Sequence, residues 1–546
     1  MAGLTMYRLK FFLSGKIVTL AVIAIAIISR LIQLVYFYTI GFDASYQVIA
    51  THNFVTGHGV SLAKVLPADL SATIYEPLIN WPPGYSVLLS PFYILFDHNY
   101  ILSGLTLDIL AAVTLIFVSR SILKLLEVPL HFINIYTLLT GFFIYHFYFI
   151  ASSDAIAITA FMIALYYALS LLKTDQRWIK KTTGLIAGLF ICGFIKYLFI
   201  PVVLIIPVFL FLRGRAVNSL PVKKAGMISF LFLVVTLGGL LLYQKYTTGS
   251  AAYISHPGRG FFPEHLLTAY PIFPGSVIKP ETLALLLNQQ PGITGFIYRF
   301  FQCLHILAFI FFAFYMVKNF SKNGFKTLSV KDAFFYLAFL VSLAITVLLA
   351  FLSARVPKEE IKPGMLWTYV QEPRYYGLIN VLLQLGLFII YSYYRRHPLK
   401  YLRYAFCFLL LLLLPELFRG IAFDTKRIVN SNKEKYFWVL EYRFQQYTEE
   451  IIKKAVQKQP VENVMVTGSS YYVNNRIAVY SHVPVLKEYE HINDFSSLHT
   501  TRPVLLLVIL HETSLKNFQP FLSAQGKEVA GYSQGFYFYT VYVTPH

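Results

Sequence analysis

The chain has 546 residues, of which 57% are hydrophobic and 13% charged, with a mean hydropathy of +0.60. A soluble domain of ordinary composition carries about 25% charged residues, so this is not one. The formal net charge of +20 would point to nucleic acid in a soluble protein, but most of it lies in short loops between apolar runs, where it reports membrane topology and no nucleic-acid partner.

Taken from the N-terminus, the chain opens with a basic start (Arg8, Lys10, Lys16) and an apolar run over 17–38. That run is too long for the core of a signal peptide and lacks a small-residue cleavage site, so it reads as a retained first helix. Further runs occur at 99–119, 130–150, 155–172, 183–198, 199–212, 226–245, 298–317, 334–353, 376–394 and 404–421. About eleven transmembrane helices are therefore predicted. The run at 84–96 is too short to span and reads as interfacial or re-entrant. The block 183–212 is read as two helices, because basic residues stand at both ends (Lys180 and Lys181, Arg213 and Arg215). Cys192, Cys303 and Cys407 all fall inside apolar segments without metal-type spacing, and imply neither disulfide nor zinc.

Basic residues gather in alternate loops, including Lys173/Arg177/Lys180/Lys181, Lys318/Lys322/Lys326/Lys331 and Arg395/Arg396/Lys400/Arg403, whereas 41–83 holds only Lys64. The positive-inside rule then puts the N-terminus in the cytoplasm of a multi-pass cytoplasmic-membrane protein. The loops 41–83 (first outer loop), 246–297 (second large outer loop) and 354–375 face out, with the tail after about 422. The expected domains are thus 1–421, an all-α polytopic membrane domain, and 422–546, a small extracytoplasmic α/β domain. The tail begins with a charged helical segment (431–459) and continues with the strand-like runs NVMVTG, RPVLLLVIL and GFYFYTVYVT. The TGSS turn after the first of these is read as a turn rather than a phosphate cradle. No internal repeat is evident.

Several polar residues stand out against this background. Asp43 comes directly after the first span, in the order Asp-Ala-Ser-Tyr, and opens a helix-like stretch that ends at Gly57-His58-Gly59. It is either a solvated loop residue or a working carboxylate. The segment YEPLINWPPGY (75–85) stops any helix at its two prolines and makes a rigid corner. The first outer loop thus reads as amphipathic helix, break, corner and interfacial helix. Asp154, in FIASSDAIAI, opens the fourth run, where Ser152-Ser153-Asp154 is also a good helix N-cap signature. Lys196, in CGFIKYLFIP, is flanked by apolar residues; a lysine at mid-membrane costs about 2.5–3.5 kcal/mol on insertion scales, unless it snorkels to the surface. Arg374, in YVQEPRYYGLI, stands at the start of the tenth span. Cations on the side opposite the basic loops are not explained by topology, and a phosphate is the obvious partner for them. The turn-rich run HPGRGFFPEHLL (256–267) carries His256, Arg259 and His265 and is a candidate lid or substrate loop, along with Tyr46; His52 and His58 lie in the first outer loop.

In order and sidedness, these features resemble the GT-C glycosyltransferases: an aspartate after helix 1, the WPPGY corner, a second aspartate at a later outward turn, and a lysine-tyrosine pair in the membrane. Within that superfamily the chain is most similar to the branch of the protein O-mannosyltransferases and the lipid A aminoarabinose transferase, over roughly residues 10–420. The resemblance implies a GT-C membrane fold and transfer of a sugar from a polyprenyl-phosphate donor to an acceptor hydroxyl on a lipid, glycan or protein, usually with inversion. It further implies Asp43 as general base, Asp154 as the second acidic position, and Lys196 at the lipid phosphate. Ala44 stands where many members carry a second acid beside the first, which favours a mechanism without a divalent cation or other cofactor. The alternative is a transporter or flippase of a lipid-linked or anionic solute, which would place polar residues along a path through the spans and show inverted repeats.

Overall fold

The structure, a computed structural model, describes residues 15–37, 42–66, 68–142, 153–251, 260–263, 324–355, 373–394, 413–429, 437–468, 498–512, 529–533 and 535–545, with single residues between 296 and 318 and at 404 and 411. It divides into two compact units. The first holds Met1–Leu34, Asp108–Tyr148 and Ser153–Asn430; the second holds Val35–Leu107, Phe149–Ser152 and Ser431–His546.

The first unit is helical. Its described elements are α1 (Lys16–Phe37), then, beyond the second unit's α2 (Phe42–Val55) and α3 (Gly84–Leu95), α4 (Tyr100–Leu125), α5 (Leu130–Phe142), α6 (Ser153–Lys173) and α7 (Trp178–Ile195). They continue with α8 (Ile205–Ala216), α9 (Leu220–Thr248), α10 (Val330–Ser353), α11 (Gly377–Tyr394) and α12 (Leu414–Val429). Among the described residues, seven helices are long and apolar enough to cross a membrane: Lys16–Val35, Tyr100–Leu125, Ser153–Lys173, Trp178–Ile195, Tyr197–Ala216, Leu220–Thr248 and Val330–Ser353. The remaining expected spans differ for local reasons. The described helices of 130–150 and 376–394 are shorter, and much of 298–317 and 404–421 lies outside the described residues. Within 183–212 the helix breaks, as expected, here at Lys196.

Helix directions are set by side-chain ties. Lys173 donates to the Leu125 carbonyl and pairs with Glu127, so α6 ends where α4 ends. Asn134 donates to Thr19 and Ser29 to the Gly141 carbonyl, so α5 runs parallel to α1. α6 and α7 form a close hairpin: a Cβ on Gly188 would stand 2.6 Å from the Ala160 carbonyl oxygen, so only glycine permits this approach.

α12 is inside-out. Its buried stripe contains Glu416, Gly420 and Asp424, while Leu414, Phe418 and Ile421 are exposed. In water this would waste apolar surface and bury carboxylates; against lipid it is the natural arrangement. The helix also continues past 421, the expected end of the membrane part. Its Asp424 meets α1, where Ser29 Oγ donates to Oδ2 at 2.6 Å and Gln33 Nε2 to Oδ1 at 3.4 Å. The fully buried Arg30 beside them donates to Gln33 Oε1 at 2.8 Å and to the Thr140 carbonyl.

The second unit joins the first loop to the tail. Between α2 and α3 lies an antiparallel hairpin of β1 (Ser61–Leu66) and β2 (Asp69–Pro77), where the sequence pattern suggests only a break and a corner. The tail supplies α13 (Phe437–Lys458) and strands β3 (Asn463–Gly468), β4 (Val504–His511), β5 (Val529–Ser533) and β6 (Phe536–Val543). The sheet order is β3-β4-β6-β5, with β3 and β4 parallel and the other pairs antiparallel. Every residue of Val504–Leu510 is buried, as a strand covered on both faces requires. On one face, Val504, Leu506, Val508 and Leu510 share a core with Val65 and Leu70 of the hairpin. On the other side of the domain, Tyr447 of α13 accepts the Tyr532 amide, and Tyr542 donates to the Ala455 carbonyl. Hairpin and tail thus form one packed body.

Asp69 fastens this junction. Its carboxylate accepts from the Thr501 amide (2.9 Å) and hydroxyl (2.7 Å) and from Ser71, which hold it well below its ordinary value of 3.8. A carboxylate depressed on folding stabilises the folded form above its unfolded value, and this is lost as pH falls through the folded value. Amide-exchange protection at Leu70 and Thr501, corrected for intrinsic rates, should therefore be flat above about pH 4 and decline below it. In Asp69→Asn that acid-dependent step should be missing; an unchanged profile would detach Asp69 from the junction.

Candidate active site

In the first unit, three chain-distant segments converge on one ammonium group. α6 begins at Ser153, which puts Asp154 in its first turn, buried to 4% exposure. α7 ends at Ile195, and Lys196 leaves the helix in an extended conformation (φ −144°, ψ 120°) before a 3-10 turn, Tyr197–Phe199. Irregular backbone amid apolar helices survives only where protein surrounds it, and it commonly marks a ligand site. The freed lysine reaches Asp154: Nζ and Oδ1 form an ion pair, with the side chains 13% and 6% exposed. The same ammonium lies 4.5 Å from the ring centre of Tyr375, a cation–π contact that strengthens in dry surroundings.

Tyr375 belongs to the 3-10 turn Pro373–Tyr376 that leads into α11. Gly377, which follows the turn, packs against α6: a Cβ there would stand 2.8 Å from Cδ1 of Ile158, one turn below Asp154. Arg374 precedes Tyr375 in that turn, which brings its backbone to the site; its side chain lies outside the described part. Asp154 thus does more than open a helix. It is the counter-ion of Lys196.

Sequence reasoning missed one neighbour. Asp108 of α4 is 2% exposed and is the only charged residue in 99–119. Thr159 of α6 donates to the Ala111 carbonyl of α4 at 3.1 Å. With α4 and α6 parallel and a helix rising about 1.5 Å per residue, Asp108 and Asp154 stand within about 3 Å of the same level. A lone charge in an apolar run was the available signal. Arg30 and Asp424 carry the same signal, and their network closes on the C-terminal end of α5 through Thr140 and Gly141.

Asp43 belongs to the second unit. It occupies the first turn of α2, half-buried, where the unpaired amides of a helix start favour an anion. Gln47 Nε2 donates to the Asp43 carbonyl at 3.3 Å, and α3 holds this turn in place through Ser86, whose hydroxyl donates to the Gln47 carbonyl at 2.8 Å. Tyr46, a sequence candidate for the substrate loop, is buried, and its ring stacks on Trp81 of the Pro-Pro corner at 5.0 Å. It braces the shelf that carries Asp43.

Farther along α2, His52 Nδ1 lies 3.3 Å from the Tyr93 hydroxyl, within hydrogen-bond reach, and His98 stacks on Tyr93 at 5.0 Å. Burial, then the neighbouring His98 and His58, push the His52 imidazole below its ordinary value, so it favours the neutral form. His58 stacks on Tyr75 at 3.9 Å. His256, Arg259 and His265 lie outside the described residues. Among the described residues, no three His, Cys, Asp or Glu side chains are placed to share a metal ion.

No protein-family profile matches the chain, and no curated protein does. Among solved structures, it is similar to ArnT from Cupriavidus metallidurans, at 13% identity and a TM-score of 0.44 in the apo state, covering 95% of this chain and 97% of that one. The same protein bound to undecaprenyl phosphate gives 12% identity and 0.44 over the same shares. The archaeal oligosaccharyltransferase AglB from Archaeoglobus fulgidus, in complex with an inhibitory peptide and a dolichol-phosphate, gives 12% identity and 0.45, covering 91% of this chain and 70% of that one.

Proposed function

We propose that the protein is an integral-membrane glycosyltransferase that moves a sugar from a polyprenyl-phosphate donor to an acceptor hydroxyl. The observation that carries this reading is the buried ammonium of Lys196, set in unwound backbone among apolar helices and held by Asp154 and Tyr375. An ion pair kept at that expense among apolar helices marks a functional site, and its ammonium suits an anionic ligand that arrives with its own apolar environment. A phosphate on a lipid chain meets both conditions.

The chemistry divides between few groups. The acceptor oxygen attacks the anomeric carbon, and the bond from that carbon to the phosphate oxygen breaks. Polyprenyl phosphate leaves with one more negative charge than it carried in the donor. Lys196, with Arg374, answers that charge directly, so the leaving group needs no proton. The acceptor hydroxyl does lose a proton, and Asp43 takes it as general base. A single displacement of this kind inverts the anomeric carbon. No step calls for a divalent cation.

Charge sets the sidedness. Arg177, Lys180 and Lys181 stand at the end of the first unit opposite Asp154, and the positive-inside rule supports a cytoplasmic position for that end and an outer one for the site. The reading is tested by incubating the purified protein with a panel of radiolabelled polyprenyl-phosphate sugars. One donor should be consumed, with release of free polyprenyl phosphate. In sealed right-side-out vesicles, transfer should reach an acceptor supplied only from outside. Movement of intact donor across the vesicle, with no donor cleaved, would replace this reading with that of a transporter.

A further inference from the structure

We propose that Asp154 is a resident counter-ion that the lipid phosphate displaces from Lys196, and that its return to the lysine drives product release. This rests on the phosphate site of the glycosyltransferase reading and assigns Asp154 a role within it. The carboxylate is not held in reserve for a proton, because it already forms an ion pair with Lys196, and both side chains are almost completely shielded. An ammonium group has three donors and no acceptor. Tyr375 covers it from one direction at 4.5 Å, and Asp154 takes another. A phosphate oxygen arriving at the same nitrogen therefore competes with Asp154, anion against anion, in a dry site where like charges repel strongly.

The carboxylate has somewhere to stay when the phosphate arrives. It stands in the first turn of α6, where backbone amides without helical partners and the positive end of the helix dipole favour a negative group. Asp154 can thus give up Lys196 without becoming an unsupported buried charge. The competition also changes during the reaction. The donor is a phosphodiester with a single negative charge, and the product is a monoester with close to two, its second ionisation falling near pH 6. The product grips Lys196 more strongly than the donor does. Without a competitor it would remain bound. Asp154, re-forming its ion pair, opposes this and empties the site.

The consequence runs against ordinary expectation for a buried polar residue. Removing its charge should tighten binding and slow turnover. The test is calorimetric titration of the purified full-length protein with farnesyl phosphate as the probe, and with inorganic phosphate in a separate arm. Wild type should bind farnesyl phosphate, and Lys196→Ala should weaken this about ten- to a hundredfold. Asp154→Asn should bind it about tenfold more tightly, while steady-state kcat falls and inhibition by added product increases. Asp154→Ser, a residue at home near a helix start, stands in should the asparagine variant fail to fold.

The failures separate. If wild type does not bind the probe, or Lys196→Ala binds it undiminished, the phosphate site itself is wrong. Equal affinity for inorganic phosphate overturns the lipid as its source. If those controls hold but Asp154→Asn binds equally or more weakly, Asp154 supports the ligand instead of competing with it, and the counter-ion role is overturned.

Discussion

Asp43→Asn should lower glycosyl transfer by about 10²–10⁴, the usual consequence of losing a positioned general base, while donor binding stays nearly unchanged. The substitution keeps the size of the side chain and its place in the first turn of α2, and asparagine serves as well as aspartate near a helix start. The fold should therefore not be the cause of any loss. Only the basic oxygen goes. A solvated loop residue would tolerate the change within about 0.5 kcal/mol of stability and with no loss of activity. Single-turnover measurement with pre-bound donor separates the two outcomes, because it isolates the chemical step. Transfer at the wild-type rate would remove Asp43 from the chemistry and move the base to another group of the first loop.

The second large effect is on stability. Arg30 is fully buried and is tied through Gln33 and Ser29 to Asp424 of α12. Arg30→Met leaves the Asp424 carboxylate without the cation of its network, a situation that costs about 3 kcal/mol or more. Thermal unfolding in detergent should register this as a clear loss. The double variant Arg30→Met/Asp424→Leu should recover most of it, because replacing both members of a buried charged group with apolar ones is often neutral or better. If Arg30→Met alone unfolds like wild type, the network does not tie α12 to α1.

The two results touch different kinds of legibility. A membrane-embedded helical body was readable because about twenty apolar residues in a row have one physical use. A break within 183–212 was readable because basic residues stand at both ends of the block, although it falls at Lys196 and not between 198 and 199. The strands around Val466, Val508 and Tyr539 were legible from apolar runs bounded by turns. What was not legible is who meets whom. Asp154 and Lys196 each looked like a candidate, but their pairing depends on how α6 and α7 pack, which no local pattern encodes. The hairpin β1–β2 escaped because its strands are half polar (Lys64, Ser71, Thr73, Glu76) and draw their stability from a partner in the distant tail. Asp108 was passed over as one charge in an otherwise ordinary span. Tyr46 drew attention through its place beside Asp43, but an aromatic next to a rigid Pro-Pro corner finds its lowest energy stacked on Trp81.

The hairpin has a consequence for how the protein is made. Its apolar residues Val65 and Leu70 leave the ribosome early, yet the strand that covers them, beginning at Val504, is 434 residues behind Leu70 in the chain. At about 5–20 residues per second, translation keeps them waiting roughly 20–90 s. Throughout that interval the apolar face of the hairpin lacks its cover. A nascent chain that stalls or terminates before Val504 would never cover that face, and would present quality-control proteases with the same exposed loop at every copy. The apolar face of the first loop is thus covered only once the strand that begins at Val504 has been made.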